Sequence, residues 1–163
     1  MKKRYLIAFI LAAAAGTALH FLYGILPNPL TALISPVNES VWEHMKLLFW
    51  PTLAAAAVLA AMSRHKIRIW SGFLLSLLVM PVFLLCVYYS LKCAFRTESL
   101  AIDLALYYGT MAGGFWLAYL AAKSRRLERA APWLLLPVML CGAALILFTF
   151  AAPPLPIFLP PQA

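Results

Sequence analysis

Charge is scarce in this sequence, and negative charge is scarcest. Of 163 residues, 11% are charged and only five are Asp or Glu. A soluble domain is about one quarter charged and about half apolar. The 65% hydrophobic content here therefore leaves too little polar surface to cover a water-soluble globule. The solvent that suits such a chain is lipid. Cysteine is sparse as well, with Cys86 and Cys141 in apolar runs and Cys93 in a short loop. No C-x-x-C pair or metal-finger spacing is present. If Cys86 and Cys93 share one helix they stand about 10 Å apart along its axis, too far for a disulfide. There is no H-E-x-x-H or Glu-x-x-His pair, no internal repeat and no β-barrel alternation.

What is present is basic charge, net +8, in short clusters between apolar runs. Ten of the thirteen Lys and Arg fall in Lys2-Lys3-Arg4, in Arg64, Lys66 and Arg68, and in Lys123, Arg125, Arg126 and Arg129. The others are Lys46, Lys92 and Arg96. Clusters of this kind are retained in cytoplasmic loops during insertion. Charge at a membrane surface thus accounts for them, and nucleic acid is excluded as a partner.

Five apolar stretches, at about 5–26, 42–62, 69–91, 100–122 and 131–150, are each long enough to cross a hydrocarbon core as a helix. The expectation is an all-α, multi-pass bundle forming one transmembrane domain over 1–163, with the N-terminus inside and the C-terminus outside. The lipid bilayer is its medium, in a bacterial cytoplasmic membrane. Lys2-Lys3-Arg4, an apolar stretch and Gly16-Thr17-Ala18 have the outline of a signal peptide. The apolar run continues through His20 to Leu26, longer than a signal core, so the first span is expected to be retained. After the fifth span, the proline-rich tail 151–163 cannot be helical. Its Leu155, Ile157, Phe158 and Leu159 are expected to lie against the outer face of the bundle or the headgroups.

The few polar residues in or beside spans carry the information, because lipid makes them costly. The richest segment is Pro36-Val37-Asn38-Glu39-Ser40-Val41-Trp42-Glu43-His44-Met45-Lys46. Ser40-x-x-Glu43 reads as a capping box, and Lys46 can pair with Glu43 or lie over Trp42. That leaves Glu39 and His44 without a structural reason. In the first span, Ala12, Gly16, His20 and Gly24 recur every four residues, a small-residue face that turns His20 into the bundle. In the fourth, Asp103 lies one turn inside Ser99, followed on its side by Tyr107, Thr110 and Gly114. Capping or a pair with Arg96 is the ordinary role for Asp103. Gly109-x-x-x-Gly113 offers a close packing face. Tyr88 and Tyr89, and Trp70, Trp116 and Trp133, read as interfacial anchors.

All of the polar candidates, His20, Asn38, Glu39, Glu43, His44, Asp103 and Tyr107, fall in the outer half or at the outer edge. Carboxylate plus imidazole suits a divalent metal such as zinc, iron or manganese, with His20, Glu43, His44 and Asp103 as the expected ligands. A proton-coupled polar network is equally compatible.

The segment PVNESVWEHMKLLFWP resembles the signature of a family of small bacterial membrane proteins known only as a domain of unknown function. The resemblance extends over nearly the whole chain, to His20, to the acidic span around Asp103, and to Phe148-Thr149-Phe150 followed by Pro153-Pro154. The family's ending continues with a Phe-x-Asp-Pro-like segment. Phe158-Leu159-Pro160 lacks that acid, so any role for it is absent here. The resemblance implies a fold and a site but no activity.

Three functional readings follow. The first is a polar site open to the outer leaflet that binds a metal or a small or lipid-like ligand. If catalytic, it would use Glu43 or Asp103 as base and the histidines as ligands or proton carriers. The second is a non-catalytic membrane component whose polar network specifies helix packing. The third is a small transporter subunit, which would call for a homo-oligomer because five spans without an inverted repeat make a poor alternating-access device.

Overall fold

In the computed structural model, residues 2–95 and 99–160 are described, and they are helical with no strand among them. Arg96 and Glu98 lie outside the described residues. The helices are α1 (Lys2–Ile25), α2 (Pro29–Ile34), α3 (Val41–Ala61), α4 (Lys66–Phe95), α5 (Leu100–Ala121) and α6 (Arg125–Phe150). A 3-10 turn follows at Pro156–Phe158.

Each of the five expected stretches is a helix, but two run longer than the apolar pattern suggests. Helix α6 begins six residues ahead of position 131, at Arg125, because Ser124 caps it: its Oγ accepts from Leu127 N at 3.4 Å. The added turn carries Glu128, whose Oε2 accepts from Arg68 Nε at 3.0 Å and fastens the start of α6 to the start of α4. Helix α2 has no counterpart among the expected elements. Asn28 caps it by accepting from Leu30 N at 2.9 Å and Thr31 N at 3.0 Å, and Pro29 supplies a first-turn φ.

Helices α1, α3, α4 and α6 are long and apolar enough to cross a membrane. Helix α5, at 22 residues, is long enough but carries Asp103, Thr110, Trp116 and three tyrosines, and it is not one of these four. It packs on α4 and on α1.

Helix α4 is central, lying against α3, α5 and α6, while α1 rests on α3 and α5. The core between them is built from Leu48, Phe73, Leu77, Met80, Met111, Phe115 and Leu145, all buried. The α4–α5 seam is close because small residues face each other. A Cβ on Gly72 would strike the Ala118 carbonyl, and one on Gly114 would strike Met80 and Ser76. Ser76 Oγ donates to Gly114 O at 2.8 Å across that seam. The packing face of α5 is thus Thr110, Gly114 and Ala118, all buried, and not the expected Gly109 and Gly113, which meet nothing. The i, i+4 stripe through Thr110 is a quarter-turn away from the glycine pair, and the bulkier Met80 fills the groove it offers.

Beyond the basic residues at their starts, the outward faces of α1 and α6 are largely apolar. Leu6, Ile10, Leu11 and Phe21 on α1 and Leu136, Met139, Leu140 and Leu147 on α6 are exposed, and Trp133 is 82% exposed. A surface of this kind is incompatible with a monomer in water and fits an acyl-chain environment. After α6 the chain folds back. Phe158 is buried between Trp42 and Phe148, with ring centroids at 5.0 and 5.2 Å, while Leu155 and Leu159 stay exposed.

Candidate functional site

The segment 35–46 folds around a buried charge pair. Lys46 is 0% exposed and Glu43 2%. The ammonium donates to Glu43 Oε2 at 2.6 Å, to Ala32 O at 2.7 Å and to Ser35 O at 3.4 Å. The last two are carbonyls at the C-terminal end of α2, so Lys46 caps that helix with a cation from below. Glu43 Oε2 also accepts from Val37 N at 2.9 Å. Thr149 Oγ1 lies 3.1 Å from Glu43 Oε1 and 2.8 Å from its own Leu145 O, tying α6 to the same knot.

Glu43 is therefore engaged by the fold in a way that the capping box alone does not describe. Only half of the capping box forms. Ser40 Oγ accepts from Glu43 N at 3.3 Å, but the Glu43 carboxylate reaches Val37 and Lys46 while Ser40 N donates to Asn38 Oδ1 at 2.9 Å. Glu43 Oε2 is taken by Val37 N and Lys46, its Oε1 faces Thr149, and it is not among the residues whose ligand atoms meet. Lys46 pairs with it instead of lying over Trp42.

Removing Glu43 from the set leaves the histidines with Glu39. The Asn38 side-chain turn places Glu39 at the surface, 67% exposed, between the two imidazoles. His44 Nε2 lies 3.4 Å from Glu39 Oε2, and His20 Nε2 lies 4.0 Å from Glu39 Oε1. The imidazole centroids are 5.2 Å apart. His20, Glu39 and His44 each offer one ligand atom, and the three atoms lie within 4.8 Å of one another. His44 is oriented by its own helix: Nδ1 is 2.9 Å from Ser40 O, a group that can only accept. Nδ1 must carry the proton, so neutral His44 presents a bare Nε2 lone pair to Glu39.

His20 arrives at this point because α1 is pinned beside α3. Ala12 and Gly16 of its small-residue stripe are buried, whereas Gly24 meets nothing. Tyr107 crosses from α5 over Gly16, and its hydroxyl reaches Ala13 O at 3.5 Å and Leu47 O at 3.4 Å. Tyr108 adds a hydroxyl contact to Thr17 at 3.0 Å. One turn above, Ser35 Oγ donates to Leu19 O at 2.6 Å and accepts from Tyr23 N at 3.0 Å, bridging two groups that an uninterrupted helix would pair directly. Ser35 is fully buried, and it clasps α1 on both sides of His20. The cluster's position is thus set by Tyr107 and Ser35, neither of which is a ligand.

Asp103 is exposed on α5 and takes no part in the cluster of ligand atoms. Its backbone N bonds Ser99 O at 3.1 Å, as the first turn of α5 requires. The part of α5 that packs against α1 is Tyr107, a full turn further along. Among the expected residues the structure thus brings together His20, Glu39 and His44. It assigns Asn38, Glu43 and Tyr107 to holding them and leaves Asp103 apart. Ser35 was missed by sequence reasoning, where a lone serine before Pro36 reads as a turn residue; Asn28-Pro29 was the available sign that a helix ends there.

Four apolar helices able to cross a membrane, with two imidazoles and one carboxylate gathered where α1 meets the start of α3, define a helical protein of membrane-compatible composition with a candidate metal-ligating cluster. The chain belongs to the Family of unknown function (DUF6512), whose sequence model matches residues 1–161. No curated protein and no solved structure matches the chain.

Proposed function

We propose that this protein is a five-span component of a bacterial cytoplasmic membrane, N-terminus inside, that binds a divalent transition-metal ion at its outer side through His20, Glu39 and His44. The observation that carries the reading is the spacing of the three donor atoms. Two ligands on one tetrahedral metal at about 2.0–2.1 Å stand about 3.3 Å apart. His44 Nε2 and Glu39 Oε2 are 3.4 Å apart. The Ser40 carbonyl on His44 Nδ1 is the outer partner that metal-bound histidines ordinarily have, fixing tautomer and ring plane.

Two imidazoles and one carboxylate leave at least one coordination position open, as in zinc and ferrous sites that take up water or an external ligand. Glu39 is the most exposed of the three, so the open side faces outward. Equilibrium dialysis of purified protein with zinc, followed by elemental analysis, tests this. One ion per chain is expected. His20→Ala, Glu39→Ala and His44→Ala should each weaken binding more than about 100-fold, the upper end of what loss of an outer-shell partner costs. Asp103→Asn should leave it unchanged. Wild-type protein that binds no metal would leave the alternative, a Glu39 carboxylate bridging two histidines purely to fasten α1 to α3.

The orientation rests on the ten basic residues at one end of the helices and on the absence of comparable charge at the other. Reporter fusions after Arg68 and after Arg126 are expected to report cytoplasm, and one at residue 97 the exterior. A cytoplasmic signal from residue 97 would overturn the five-span arrangement.

A further inference from the structure

At the end of the bundle opposite the histidine cluster, α1 and α5 diverge. Between them lies a cleft of about 380 Å³, within the size range of about 300–1,000 Å³ that small-molecule sites occupy. Its walls are Leu6 and Phe9 from α1 and Ala112, Phe115 and Trp116 from α5. Its rim carries Lys2 and Lys3. An apolar slot with two ammonium groups at one end has the polarity of a single lipid: a hydrocarbon chain along the slot and a negative headgroup at the lysines.

Three further observations support an acidic occupant. Neither Lys2 nor Lys3 has an ion-pair partner among the described residues, where every carboxylate engaged in a pair is bound elsewhere. Tyr5, which also lines the cleft and is 5% exposed, has a hydroxyl with no hydrogen-bond partner among the described residues. A buried hydroxyl without a partner is costly, and a phosphate or ester oxygen is the acceptor it lacks. Lys123, 4.2 Å over the ring of the cleft residue Tyr119, keeps the surroundings of the cleft cationic.

We infer that the α1–α5 cleft is a binding site for one acidic phospholipid, with an acyl chain against Phe9, Ala112 and Trp116 and the phosphate between Lys2 and Lys3. The inference is independent of the metal cluster, which shares no residue with it. Basic pockets between membrane helices on the side that carries the positive loops are where anionic headgroups bind. The lysines give the selectivity and the aromatic walls give the grip, so the two contributions separate by mutation.

Native mass spectrometry of the detergent-solubilised full chain, titrated with phosphatidylglycerol or with phosphatidylcholine of the same acyl chains, tests it. One retained phosphatidylglycerol is expected, preferred roughly twenty-five-fold, two lysines each contributing about fivefold at an anionic headgroup. Lys2→Gln with Lys3→Gln should erase the preference while leaving weak retention of both lipids. Ala112→Trp, which fills the slot from an exposed position, should abolish retention of both. Arg126→Gln, exposed and outside the cleft, should change nothing. Inorganic phosphate in excess should fail to displace the lipid. Equal retention of the two lipids by the wild type would overturn the inference. So would an equal loss from Arg126→Gln, which would reduce the preference to general surface charge, and so would full displacement by free phosphate.

Discussion

Lys46→Met is expected to destabilise the protein by about 3–5 kcal/mol, the largest loss of any single substitution, because it strands a buried carboxylate. Glu43 would remain 2% exposed with its main counter-charge gone, and the carbonyls of Ala32 and Ser35 would lose their cap together. Methionine matches the length of the lysine stem, so lost volume contributes little to that figure. Glu43→Gln should cost less, since an amide can still accept from Val37 N and leaves the ammonium its two carbonyls. Replacing both, Lys46→Met with Glu43→Leu, should recover part of the loss, because an apolar pair of similar size often substitutes for a buried ion pair at little cost. Recovery stays incomplete because Val37 N, Thr149 and the end of α2 lose partners that no apolar side chain replaces. Thermal unfolding of the two single variants and the double variant in detergent gives the comparison. A double variant worse than Lys46→Met alone would show that the pair is not the source of the penalty.

Gly16→Leu is expected to separate α1 from α3 and, with it, His20 from the rest of the cluster. A Cβ at position 16 would overlap the Tyr107 hydroxyl and stand 2.8 Å from Leu47 O. Tyr107 is the far end of a side chain and can swing away, but the Leu47 carbonyl belongs to the backbone of α3 and cannot. The helix must move. Overpacking of this sort costs about 1–3 kcal/mol, which the fold can survive, since the Glu43–Lys46 knot joins α2, α3 and α6 and does not depend on α1. His20 sits one turn beyond Gly16, so its imidazole moves with the helix. Zinc affinity should fall by more than about 100-fold, as for His20→Ala, though all three ligands are present. Gly16→Ala combined with Tyr107→Phe removes one of the two clashes and should bind better than Gly16→Ala alone. Undiminished metal binding by a folded Gly16→Leu variant would mean that His20 is not held by this seam.

The helices were legible because lipid-facing composition is a strong signal: 65% apolar residues in a chain of 163 must be partitioned into long runs. Their ends were less so. Ser124 and Glu128 extend α6 through polar sequence, and α2 sits inside what reads as a loop, because caps and ion pairs stabilise turns that hydropathy does not mark. The glycine pair at 109 and 113 misled for a related reason. A spacing of four shows that a helix has a smooth face, not which neighbour lies on it, and here the neighbour lies on Thr110 and Gly114.

The site divided along the same line. Glu39 and His44 had no capping role to absorb them and His20 was turned inward by its small-residue stripe; these three meet, although Glu39 was not among the expected ligands. Glu43 and Asp103 were added for being acidic and at the right depth. Depth fixes one coordinate of a side chain and leaves its direction around the helix free. Glu43 turns toward Lys46, three residues on in the same helix, a pairing that the sequence offered and that competes with metal ligation. Asp103 is exposed on α5, one turn before the Tyr107 that reaches α1 and α3. The Glu43 pairing is a three-residue spacing within one helix, whereas the placement of Asp103 depends on which helices become neighbours.

X-ray absorption at the zinc edge of the loaded protein tests the central claim most directly. The account predicts a four-coordinate ion with only nitrogen and oxygen in its first shell, at about 2.0–2.2 Å, and outer-shell scattering from two imidazoles. In His20→Ala that outer scattering should fall to one imidazole. A first shell containing sulfur, or a site with six oxygen ligands and no imidazole signature, would contradict binding through His20, Glu39 and His44.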